Sequence, residues 1–308
     1  MKWLKTTAVA ACLGMLLVLL GGALVTKTES GMGCGKSWPL CHGQLIPSEI
    51  DTALIIELSH RVISGGVGLM VLLLSILAWK MVGHVREVKF LSFLAFFFLL
   101  MQGLIGAAAV KWGQSDFVLA MHFGISLVSF SAVLLLTIII FEIDRKFDAQ
   151  SLWIKKDFRI QIYMLTLYTL GVVYSGALVR HTYSSMACLN WPFCSNASPL
   201  DFASYGLGQW IQMGHRFAAS IVVIWTLLIF KKAWKEYRHS SVMTIGWGIG
   251  SGLLILQVIL GALVIVSYVH LGLALLHALV ISLYVGLLSY FLLLSSRSSK
   301  NEKRTKKP

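Results

Sequence analysis

Charge is scarce in this chain, and proline scarcer still. Charged residues fill 13% of its 308 positions, against about 25% in a soluble globular domain. Only 13 residues are acidic, against 26 Lys and Arg. Five prolines among 27 glycines exclude a Pro-rich disordered chain. What is plentiful is apolar: 57% of residues are hydrophobic, and the mean hydropathy is +0.79. At roughly 20 residues per span, about eight spans would occupy some 160–200 residues. Only short loops remain, with no room for a separate soluble domain. The composition excludes a folded cytosolic enzyme and predicts an all-α polytopic membrane protein.

Apolar runs place eight spans near 6–26, 52–79, 90–110, 117–141, 160–180, 207–230, 243–266 and 270–294. With the N-terminus inside, twenty Lys and Arg fall on the cytoplasmic side. The outer loops hold Lys27, Lys36, Lys111 and Arg180, and Arg61 and Arg216 fall within spans. This bias predicts a cell-membrane protein with both termini cytoplasmic. The net charge of +13 is therefore read as an orientation signal and not as a nucleic-acid surface. The basic tail 297–308 is read as a solvated anchor beside anionic lipid. The first apolar run is followed by Lys27 and Glu29 instead of a small-residue cleavage site, so a retained span is expected.

The chain repeats itself at an offset of 153–155 residues. Gly22-Ala23-Leu24-Val25 recurs as Gly176-Ala177-Leu178-Val179. Trp38-Pro39-Leu40-Cys41 recurs as Trp191-Pro192-Phe193-Cys194, and His60-Arg61 recurs as His215-Arg216. Gln102 and Gly106-Ala107 recur as Gln257 and Gly261-Ala262, and His122 recurs as His277. Residues 1–150 and 151–308 are thus expected to be two four-helix halves of the same topology, joined by the charged segment 142–159. An even number of spans per half makes them parallel repeats about a pseudo-two-fold axis along the membrane normal.

Of nine histidines, His84, His239, His42 and His181 fall in loops and read as surface residues. His270 sits at the mouth of the last span and reads the same way. His60, His122, His215 and His277 lie inside spans, where ionisable residues are costly and default to a functional role. A lone histidine there is often only a helix-to-helix hydrogen bond, but four arranged as a pair of pairs are harder to explain that way. Each lies five to eight residues into its span from the outer side, about 12 Å at the deepest. Each half therefore brings two imidazoles to one depth, as axial ligation of a haem iron requires. Zinc would want further ligands nearby, and no Met or Cys accompanies the histidines at that depth as copper would favour. The absence of Cys-x-x-Cys-His excludes covalent haem attachment.

Arg61 and Arg216 directly follow His60 and His215. They are candidates to clamp haem propionates, with snorkelling to headgroups the plainer role. Glu57 lies one turn before His60, and its counterpart is Gln212. A buried carboxylate needs a partner or a task. Glu57 reads as a general base or a stabiliser of developing charge, with simple pairing to Arg61 the alternative. The asymmetry points to one reactive haem site and one electron-transfer or structural site. Cys34 and Cys41 share one outer loop, and Cys188 and Cys194 share another. One short-loop disulfide per half is expected there, with a redox-active thiol pair as the alternative. Cys12 reads as packing, and Gly246, Gly248, Gly250 and Gly252 read as close helix contact in the seventh span.

These motifs together, Glu57-Leu58-Ser59-His60-Arg61, His122, Gly214-His215-Arg216, His277 and the two cysteine loops, resemble the bacterial haem A synthase family over nearly the whole chain. The resemblance implies oxidation of the C8 methyl of haem O to a formyl group through hydroxylated intermediates, making haem A for terminal oxidases. It implies a haem b cofactor on His215 and His277, and a haem O substrate flanked by His60 and His122. It also implies Glu57 as catalytic carboxylate and a role in activity for Cys34 and Cys41. Expected partners are haem O synthase, which is the protohaem farnesyltransferase, and oxidase assembly factors. Two rivals exist. A dihaem b-type electron carrier would place its histidine pairs at two depths to cross the bilayer, which these do not do. A haem transporter or chaperone accounts for the histidines but not for the Glu57/Gln212 difference.

Overall fold

The computed structural model describes every residue except 46, 114, 144–148, 150, 151, 196–200 and 306–308. Part of the 142–159 connection, including Arg145 and Lys146, and the last residues of the basic tail thus lie outside the described residues. Eight helices are long and apolar enough to cross a membrane. They are α1 (Lys2–Lys27), α2 (Thr52–Val82), α3 (Val88–Trp112), α4 (Asp116–Ile140), α5 (Lys156–His181), α6 (Leu207–Glu236), α7 (Ser241–Val266) and α8 (Leu271–Thr305). Most overrun the apolar stretches that betray them in the sequence, because hydropathy marks bilayer thickness and not helix length. The largest overrun is α8, which carries the basic tail on as helix to Thr305. Ser298 Oγ accepts from Ile154 N at 2.8 Å, and Glu302 pairs with Arg159 at 2.7 Å. The tail is thereby fastened to the start of α5.

Local chemistry sets the helix ends. The Asp51 side chain accepts from Leu54 N at 2.7 Å to start α2, and Ser115 accepts from Val118 N to start α4. Thr28 Oγ1 donates to Leu24 O and meets Ser30 Oγ, closing α1. Thr182 bonds Leu178 O and Ser184 Oγ in the same way after α5.

The chain divides into two compact units, Met1–Phe141 and Glu142–Pro308. In the first, the helices form a ring: α1 packs on α2 and α4, and α3 packs on α2 and α4. In the second, α5 packs on α6 and α8, and α7 packs on α6 and α8. Lipid tails are as apolar as leucine, so such rings are held mainly by close packing. In the first unit Leu4, Ala8, Ala11, Met15 and Val18 make a buried stripe on α1 at helical spacing. Val71 and Leu74 on α2, Leu91 and Ala95 on α3, and Val133 and Leu136 on α4 are buried as well. In the second unit Phe158, Ile162, Trp247, Tyr284 and Phe291 form the centre of the core. Trp247 stacks on Phe291 at 4.3 Å. A Cβ on Gly246 would come within 2.7 Å of the Phe291 ring, so the glycine is what admits it. Gly250 likewise faces Leu287 and Tyr284. Both cores lie at the ends of the helices that carry the N-terminus, the α4–α5 connection and the tail. The cysteine loops lie at the opposite ends, where Cys34, Cys41 and Leu54 form a smaller buried cluster in the first unit.

Candidate haem-binding site

The four histidines sit toward these loop-bearing ends. His60 is on α2 and His122 on α4, diagonal members of the first ring. His215 on α6 and His277 on α8 hold the diagonal places in the second. All four are half-buried, and His60 and His122 lie within electrostatic range of each other. Each imidazole leans on a glycine of the preceding helix. A Cβ on Gly21 would stand 2.9 Å from His60 Nδ1, and one on Gly106 would stand 3.3 Å from the His122 ring. One on Gly176 would stand 2.9 Å from the His215 ring, and one on Gly261 would stand 3.2 Å from the His277 ring. Glycine removes the side chain that would otherwise push each ring out of place.

Gly106, Gly176 and Gly261 were visible in the sequence as members of the repeats, whereas Gly21 stands one residue before the Gly22-Ala23 repeat. What they serve becomes clear only once the helices are paired. One turn from two of them, Gln102 Oε1 and Gln257 Oε1 are buried without a hydrogen-bond partner among the described residues.

The residues fit a haem. His60 Nδ1 is buried and makes no hydrogen bond. His122 Nδ1 is likewise buried without a hydrogen-bond partner among the described residues. Among the described residues no three His, Cys, Asp or Glu side chains converge as they would around a bare metal ion. A macrocycle brings four nitrogens of its own and needs only two imidazoles.

The cysteine loops close over these ends. Disulfides join Cys34 to Cys41 and Cys188 to Cys194, with Cα atoms 4.5 and 4.4 Å apart. Cys12 is free and partly buried. Each loop is tied to the helix carrying the first histidine of its unit. Glu57 Oε2 accepts from Cys34 N at 2.7 Å, and its other oxygen pairs with Arg61. Gln212 Oε1 accepts from Cys188 N at 2.6 Å, while its amide donates to Ser185 O at 2.8 Å. Glu57 and Gln212 thus share one structural duty, and only Glu57 adds a charge. Both are buried, at 3% and 2% exposure.

Both arginines are engaged with the loops. Arg61 Nη1 donates to Ser37 O and Leu40 O. Arg216 donates to the carbonyls of Asn190, Pro192, Phe193 and Cys188. Neither bond set was apparent from the sequence, because the carbonyl partners carry no side-chain signature. Among the other histidines, His42 Nε2 meets Gly33 O inside the first loop, and His181 ends α5 instead of lying in the loop beyond it. His270 is exposed at the start of α8.

Residues 5–289 match the COX15-CtaA family, described as cytochrome oxidase assembly protein. The chain is 54% identical to Heme A synthase of Lysinibacillus sphaericus over 98% of both chains. It is also 54% identical to Heme A synthase of Geobacillus kaustophilus, covering 96% of this chain and 93% of the relative. Heme A synthase of Geobacillus thermodenitrificans is 51% identical, over 97% and 93%. The chain belongs to the COX15-CtaA family.

Proposed function

With that family as premise, we propose that this multi-pass membrane protein is a haem A synthase, oxidising the C8 methyl of haem O to a formyl group for terminal oxidases. The observation that carries the reading is identity of 54% over nearly the whole length to proteins of that name. Two successive two-electron hydroxylations of the methyl would give a geminal diol that loses water to the formyl group, the four electrons passing to an external oxidant.

The site supports a division of labour. His215 and His277 hold haem b in the second unit, where its iron supplies a one-electron redox centre. His60 and His122 flank the haem O substrate in the first unit and set its orientation. Glu57 is the catalytic carboxylate. The Cys34 amide fixes one of its oxygens and Arg61 balances its charge, so it offers a steady acceptor for a proton released as the methyl carbon is oxidised. Gln212, in the corresponding place, cannot take that role. The Cys34–Cys41 loop, tied to Glu57, shields this site from water. Arg61 and Arg216 retain guanidinium N–H groups beyond those given to the loops, and these are the candidates for propionates. The matching loop and glycine contacts support reading 1–150 and 151–308 as copies of one four-helix plan. Charge bias places both termini in the cytoplasm and the histidines toward the outer face. Haem O synthase and oxidase assembly factors are the expected partners.

The test is mass identification of the haems extracted from protein purified out of cells that supply haem O. Haem b with haem A or hydroxylated haem O is the expected result. Haem b with haem O unchanged would overturn the assignment.

A further inference from the structure

The two units differ in one residue that touches the first histidine. Ser175 on α5 precedes Gly176, and the corresponding residue on α1 is Gly21, which precedes Gly22. Ser175 Oγ lies 2.8 Å from His215 Nδ1 and donates its single proton to Val172 O at 2.7 Å. When Nε2 binds a metal, His215 carries its proton on Nδ1 and donates it to Ser175 Oγ, whose own proton goes to Val172 O. In the first unit Gly21 offers His60 Nδ1 no partner, and that nitrogen is buried without a hydrogen bond. A serine at 21 would also put its Cβ 2.9 Å from His60 Nδ1, so the ring sits where only glycine admits it.

Resting on the reading that His215 and His60 are haem ligands, we infer that Ser175 is a positioning residue that makes His215 a fixed ligand for a resident haem, and that Gly21 leaves His60 an exchangeable ligand for a haem that must enter and leave. Ligating histidines almost always donate their second ring N–H. That bond holds the ring's orientation and raises its basicity, and losing it typically costs 10- to 100-fold in metal affinity. A resident cofactor benefits from tight ligation of this kind. A substrate held equally tightly would be released slowly as product. The difference between Ser175 and Gly21 distinguishes the first histidine of each unit, His215 from His60, without altering any ligand.

The test uses the full-length, haem-loaded protein carrying Ser175→Ala, Ser175→Gly or Ser175→Thr. Ser175→Gly gives the second unit the arrangement with which the first already folds. In the Ala and Gly variants, haem b should transfer to apomyoglobin about 10-fold faster than from the parent protein. Its midpoint potential should also rise, because a less basic imidazole stabilises the ferric state less. Ser175→Thr restores the hydroxyl and should restore both values. Parent-like transfer rate and potential in both Ala and Gly variants would overturn the inference. His215→Ala separates the two levels of the argument. If it abolishes haem b while Ser175→Ala changes nothing, only the role of Ser175 falls. If it retains haem b, the ligand assignment falls with it.

Discussion

Glu57 and Gln212 hold their loops by the same bond, one side-chain oxygen on the amide of the first loop cysteine. Glu57→Gln should therefore keep the loop in place, since the second unit is already built that way. The cost to stability should be about 1 kcal/mol, the value of an ordinary hydrogen bond adjusted for Arg61 losing its carboxylate. Arg61→Ala is a harsher change. It releases the carbonyls of Ser37 and Leu40 and leaves a buried carboxylate without its counter-charge, at a cost of about 3–5 kcal/mol. Denaturant titration in detergent micelles should rank Arg61→Ala well below Glu57→Gln. Equal destabilisation would mean that Glu57 and Arg61 are not a pair. The Glu57/Gln212 asymmetry was legible in the sequence. The shared bond to the cysteine amides was not, because a backbone N–H has no letter of its own.

At the scale of helices, the histidines are placed by their neighbours as much as by their own helices. Gly176→Ala would drive a methyl to 2.9 Å from the His215 ring, whereas a methyl on Gly171 of the same helix meets nothing within 4 Å. Gly176→Ala should lower haem b occupancy about 10-fold, as loss of a ligand-orienting contact does, and Gly171→Ala should leave it unchanged. Pyridine haemochrome absorbance per protein reads both. The two loops are elements of the same kind. Replacing Cys188 and Cys194 by Ala opens a short loop and should cost about 2 kcal/mol, seen as a lower midpoint in the same denaturant titration. Helix number and order were legible because apolar runs and spacing report them directly. The glycine repeats were legible as letters but not as cradles, since their meaning depends on which helices pair. The extension of α8 to Thr305 was hidden because its last turns are polar, and its bonds go to Ile154 and Arg159, far away in sequence.

For the whole molecule, the proposed orientation rests on the lysine and arginine bias of the loops. A green fluorescent protein fused after Pro308 should fluoresce, while alkaline phosphatase fused there should stay inactive. The reverse pattern would place the histidines on the cytoplasmic side. The eight spans and the two loop disulfides could be anticipated because each rests on local sequence. The contacts on which the proposed division between a resident and a reactive haem site rests could not, because they join residues some 20–40 positions apart, such as Cys34 with Glu57 and Ser175 with His215. In the proposed function one unit holds a haem and the other transforms one, with Glu57 making the difference. The decisive experiment is mass analysis of the haems retained by Glu57→Gln, purified from cells supplying haem O. Haem b at the parent level is expected together with unaltered haem O, and haem A reduced by at least about 100-fold. Haem A at the parent level would remove Glu57 from the chemistry.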